Sequence, residues 1–64
     1  MLNTTPNIPD ADGFYAELLA LHDQKTKAAS DALNAALILI LANHIGDNAV
    51  LSAALNAANL SKET

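Results

Sequence analysis

Histidine is the side chain that exchanges a proton near neutral pH, and this chain has two, His22 and His44. With Tyr15 they are the groups best suited to accept a proton, ligate a metal or fix a ligand inside an apolar pocket. Helical di-metal sites use Glu-x-x-His motifs on facing helices. Here Leu19 stands three residues before His22 and Leu41 three before His44, and Glu17 is five positions from His22, off its face. A four-ligand site would need both histidines doubled by a dimer axis, and nothing in the spacing demands it. The serines and threonines lie in no Gly-x-Ser-x-Gly elbow, and two glycines cannot form a phosphate loop. Asp10, Asp12 and Asp47 sit where helices should start, so capping explains them. The residues therefore predict no catalytic site, no metal site and no cofactor. The ordinary role of His44 is a core histidine bonded to a helix-end carbonyl, Asn43 or Asp47. The ordinary role of His22 is at the negative end of a helix dipole.

The bulk numbers narrow the class further. Sixty-four residues allow one domain. A chain this short buries only about 60% of the surface that its unfolded form exposes. Fourteen alanines, one Phe, one Tyr and no Trp leave little large apolar surface for a core, and there is no cysteine for a disulfide staple. Oligomerisation is the remaining common remedy. The net charge of -4, with three lysines and no arginine, offers no basic face for nucleic acid and none for an anionic membrane. The start, MLNTTPNIPD, has neither the basic nor the apolar region of a signal peptide, so a cytoplasmic location is expected.

Around these groups the chain reads as three helices. Residues 1–9 form an arm expected to be flexible, with Pro6 and Pro9 favouring extended backbone before them. Asp10 caps a first helix over 10–24, on which Phe14, Leu18 and Leu21 make one stripe and Tyr15, Leu19 and His22 widen it. Lys25 and Lys27 suit the negative end of that helix, and Thr26, rather than Ser30, is the expected cap of the next. The second helix runs over 26–45. Its LILIL run, Leu37 to Leu41, could be a strand in isolation, but the helical pattern around it is too long for one. Gly46 then stops the helix in a left-handed conformation, and Asp47 caps a third helix over 47–60. Val50, Leu51, Ala54, Leu55, Ala57 and Ala58 are its apolar face. Residues 61–64 are a tail expected to fray.

The second helix organises the rest. At 100° per residue, one face carries Ala29, Leu33, Ala36, Leu37, Ile40, Leu41 and His44. The opposite face carries Asp31, Ala35, Ile38, Leu39, Ala42 and Ile45, with Asn34 and Asn43 on the borders. A helix apolar all round must be covered all round. Two short neighbours can cover one face, so a second copy is expected on the other, with Ala35, Ile38, Leu39, Ala42 and Ile45 as the seam. A membrane span over Ala28 to Ile45 is disfavoured, because Asp31, Asn34, Asn43 and His44 would meet hydrocarbon.

Two stretches, DGFYAELLALHD (Asp12 to Asp23) and ALNAALILILANHIGDNAVLSAALNAA (Ala32 to Ala58), resemble a family of short bacterial proteins known as a domain of unknown function. The segment Leu41 to Asp47, LANHIGD, is the most specific part. Gln24 to Ser30 departs from the family's acidic, capping-box-like turn. The resemblance implies a small helical protein of bacterial origin and brings no activity, cofactor or site residue.

The expectation is an all-α, three-helix subunit, residues 10–60, assembling into a homodimer or higher oligomer. Its expected function is that of a non-catalytic interaction or accessory protein. Its expected partners are itself and, secondarily, another bacterial protein. The alternative is a small-molecule or metal-binding bundle with Tyr15, His22 and His44 as the polar groups of its pocket.

Overall fold

The structure is a computed structural model that describes the backbone of residues 1–62 and the side chains of residues 1–60. Three helices follow one another: α1 (Ala11–His22), α2 (Lys27–Ile45) and α3 (Asn48–Lys62). No strand occurs among the described residues, so the all-α expectation holds. The tail expected at 61–64 begins inside the last turn of α3, and residues 63–64 lie outside the described residues.

The boundaries follow from capping chemistry. The Asp10 carboxylate accepts from the Gly13 amide at 3.0 Å and opens α1. That contact explains the glycine in the first turn: a Cβ there would stand 2.7 Å from Asp10 Cγ, where the capping carboxylate sits. The first helix ends two residues before the expected Gln24. Gln24 itself takes the left-handed conformation, φ 62°, and the Lys25 amide returns to the His22 carbonyl at 3.1 Å. A left-handed residue cannot continue the helix, so the chain turns there. Thr26 caps α2 as expected, its Oγ1 accepting from the Ala29 amide at 3.1 Å. Lys27 opens α2, and its Nζ lies 2.8 Å from Asp31, an exposed pair one turn apart. Such a pair contributes about 0.3–0.5 kcal/mol.

The corner between α2 and α3 takes two residues. Gly46 has φ 64° and its amide reaches the Ala42 carbonyl at 2.9 Å. Asp47 Oδ1 then accepts from the amides of Ala49 and Val50 at 2.9 and 3.3 Å. The arm before α1 carries no helix. Within it Asn3 Oδ1 accepts from the amide and hydroxyl of Thr5 at 2.9 and 2.7 Å, a side-chain turn.

Packing between the helices is sparse. Among the described residues no side chain is buried. Leu18, Leu33, Leu37, Ala42, Val50, Leu51 and Ala54 reach half-burial, and the larger side chains beside them stay open to water. The radius of gyration is 13.3 Å. A compact chain of this length would have about 10.7 Å. The three helices form an open arrangement without a closed core.

Two glycine substitutions test this account by urea unfolding at fixed protein concentration. Gly46→Ala should lower stability by about 1–2 kcal/mol, the penalty of a left-handed residue bearing a Cβ. Gly13→Ala should not deliver the usual helix-interior gain of about 0.5–1 kcal/mol, because the new methyl expels the Asp10 cap. In an Asp10→Ala background the same Gly13→Ala change should recover that gain. A gain in the wild-type background would overturn the capping account.

Candidate functional site

A concavity lies between α2 and α3. Its α2 wall is Ile38, Leu41, Ala42 and Ile45, and its α3 wall is Leu51, Ala54, Leu55 and Ala58. It is an open groove of about 430 Å³, and all eight lining residues are apolar. Of its three alanines, Ala42 and Ala54 are half-buried and Ala58 is exposed. Ile38 and Leu55 stand at the rim, 62% and 70% exposed.

The sequence-expected seam divides across this feature. Ile38, Ala42 and Ile45 line the groove, so α3 shares their side of α2. Ala35 and Leu39 do not line it; both are exposed, Leu39 at 71%. At 100° per residue, Leu39 falls well round the helix from Ile38. The two expected faces of α2 are therefore not one covered and one bare. The side carrying Ser30, Leu33, Leu37 and Asn34 is approached by α1 along the first half of the helix. The groove side is approached by α3 along the second half.

Tyr15, His22 and His44 are not gathered around this groove; none of them lines it. His22, the last residue of α1, is half-buried and links α1 to α2: its Nε2 donates to Asn34 Oδ1 across 3.1 Å. Amide oxygen only accepts, so the imidazole carries its proton on Nε2 in this contact. Its role joins two helices, which the helix-dipole expectation did not include. Tyr15 is 60% exposed on α1. His44 differs from its expected place in the core. It is exposed, and among the described residues it makes no side-chain hydrogen bond with Asn43, Asp47 or a helix-end carbonyl. The physical reason is the split coverage of α2. His44 lies on the arc that α1 covers, but one turn from the far end of the helix, beyond the reach of α1. Among the described residues no group of three or more His, Asp or Glu side chains could hold a metal ion.

The groove was partly legible. Its α3 wall is the apolar face expected from spacing, and three of its α2 residues were assigned to a common surface. The sequence did not show that these two sets face one another. The tight turn Ile45-Gly46-Asp47, which folds α3 back along α2, was the signal that could have shown it.

A family model described as a protein of unknown function (DUF2783) matches residues 2–60. The chain belongs to that family. The match extends the likeness read from the helices through nearly all of the N-terminal arm. No curated protein and no solved structure matches the chain.

The family description gives His22 no role, so its contact with Asn34 is tested physically. In a double-mutant cycle of His22→Ala and Asn34→Ala, the coupling energy should be about 0.5–1 kcal/mol, the low end for a partly exposed hydrogen bond. A coupling of zero would mean that the contact does not fix α1 on α2.

Proposed function

We propose that this member of the family is a non-catalytic interaction protein whose apolar helical surface is covered by self-association. The observation that carries the reading is the absence of any buried side chain among the described residues of a chain that is 52% hydrophobic. Ile38, Leu39, Ile40, Leu55 and Leu60 are each more than 60% exposed. Monomeric proteins rarely leave so large a share of their big aliphatic side chains in water, and extended apolar surface marks an interface. The concavity between α2 and α3 is lined by apolar residues alone, which suits burial of hydrocarbon and offers no group for acid/base work.

A lipid bilayer could cover α2 equally well on length alone. The helix has 19 residues and a mean hydropathy of 1.4. Its polar content supports protein over lipid. Lys27 and Asp31 form an exposed ion pair, Asn34 is held by His22, and Asn43 and His44 lie within the last turn. Groups of this kind at membrane depth would need partners that hydrocarbon does not supply. We propose an aqueous compartment, the cytoplasm, with another copy of the chain as its first partner and another cellular protein as a second candidate.

Sedimentation equilibrium without detergent tests the reading. The mass at micromolar concentration should be a multiple of 6.6 kDa. The thermal midpoint of the helical signal should rise with protein concentration, because association stabilises the folded form by mass action. A compact single chain with a concentration-independent midpoint would overturn the proposal.

A further inference from the structure

We infer that the α2–α3 groove is the seat of a second copy of this chain, the grooves of two copies facing each other across a two-fold axis. The inference rests on the self-association reading and narrows it to one surface and one partner. Three observations carry it, the first of which is area. The chain exposes 5645 Å². A compact monomer of 6.6 kDa would expose about 3,900 Å². The excess, the difference between these figures, is about 1,700 Å² per chain. Obligate homodimers bury about 2,000–5,000 Å² in total, or about 1,000–2,500 Å² from each chain. The surplus belongs to the whole chain, its exposed N-terminal arm included, so it shows that the chain has enough open surface for a stable homodimer, and shape and charge select the groove.

The second observation is shape. An isologous interface must fit itself, since the same patch serves both sides. This groove carries both halves of such a fit: Ile38 and Leu55 are largely exposed at its edges, while the half-buried Ala42 and Ala54 leave space between them. Two grooves brought together place the rim side chains of each over the small residues of the other. The product is a four-helix core built from two α2 and two α3 helices.

The third observation is charge. Each copy carries a net charge of -4, so two copies repel over most approaches. Between Ala32 and Leu60 the only charged residue is Asp47, at the corner outside the groove. Asp10, Asp12, Glu17, Asp23 and Asp31 all lie on or before the first half of α2. Joining copies by their grooves keeps most of these carboxylates away from the seam and desolvates no ion, whereas pairing along α1 would oppose like charges. The absence of charge also leaves a foreign partner little to recognise beyond hydrocarbon.

The test compares two lysines placed at sites of equal exposure. Leu55 is 70% exposed and Leu39 is 71% exposed in the single chain, so lysine is equally tolerable at either within one copy. Leu55→Lys should weaken the dimer by roughly tenfold or more, as expected for a buried anchor, and halve the sedimenting mass at micromolar concentration. Leu39→Lys should leave the mass unchanged. Because the chain has no cysteine, single substitutions report contacts directly. Leu55→Cys should cross-link copy to copy with a short bismaleimide, and Leu39→Cys should not. This second assay decides the matter if Leu55→Lys fails to fold by circular dichroism. A wild-type chain that is monomeric in buffer defeats the self-association reading, and this inference with it. If that monomer is carried down by phosphatidylcholine vesicles, the occupant of the groove is lipid. A wild-type dimer that Leu39→Lys dissociates, or that cross-links through residue 39 and not 55, overturns the groove alone and leaves self-association standing.

Discussion

Burial of one long apolar helix is the constraint on which the rest of the structure depends. At 1.5 Å per residue α2 is about 28 Å long, with large aliphatic side chains at 33, 37, 38, 39, 40, 41 and 45 around its circumference. A neighbouring helix covers an arc of roughly a third of such a cylinder, and only along the length that it overlaps. The first helix has 12 residues and meets the first half of α2, while the third turns back at Gly46 and meets the second half. The covered arcs are different at the two ends. No cross-section of α2 is enclosed on every side, and none of its residues is buried. The open radius of gyration, the exposed aliphatic side chains and the unfilled groove are three expressions of this geometry.

With no closed core, local interactions carry more of the fold than they do in a larger domain. Isolated helices shorter than about 12–15 residues are marginal in water, because the first turn orders several residues for one hydrogen bond. Each helix here begins with a side-chain cap, Asp10, Thr26 or Asp47, that satisfies amides the helix leaves free. The fourteen alanines fit the same need: they are the strongest helix formers and lose no side-chain entropy. Three of them, at positions 42, 54 and 58, line the groove between α2 and α3. Composition that reads as poor core material therefore serves helix formation.

The parts of the structure legible in the sequence are those decided by neighbouring residues. The caps at Asp10, Thr26 and Asp47 and the left-handed stop at Gly46 each depend on the chemistry of one residue and its next few amides, and the chain announces them. The end of α1 was less legible, because Gln24 has no special liking for the left-handed conformation that it adopts. Tertiary placement was least legible. A helical wheel says that Ile38, Ala42 and Ile45 share a side with Asp31. It does not say that α3 returns along that side, nor that α1 stops short of His44. His44 was expected in the core on its angular position alone. Angle without axial reach does not define burial, and here the two diverge by about one helical turn.

The charge pattern gives the open geometry a direction. Five of the seven charged side chains in the first 31 residues lie on α1, at its caps or in the turn that follows, and the other two, Lys27 and Asp31, pair at the start of α2. They surround the end of the molecule where α1 meets α2. The second half of α2 and α3 carry asparagine, serine and alanine where a freely solvated helix would ordinarily carry lysine and glutamate. Polar but uncharged side chains lose less on leaving water than ions do. A surface of this composition is tolerable in water and can be covered without stranding a charge. That property is of little use to a chain that shields its own apolar residues. It suits one whose helices are completed by contact with another molecule, so folding of the second half of α2 and of α3 should be coupled to that contact.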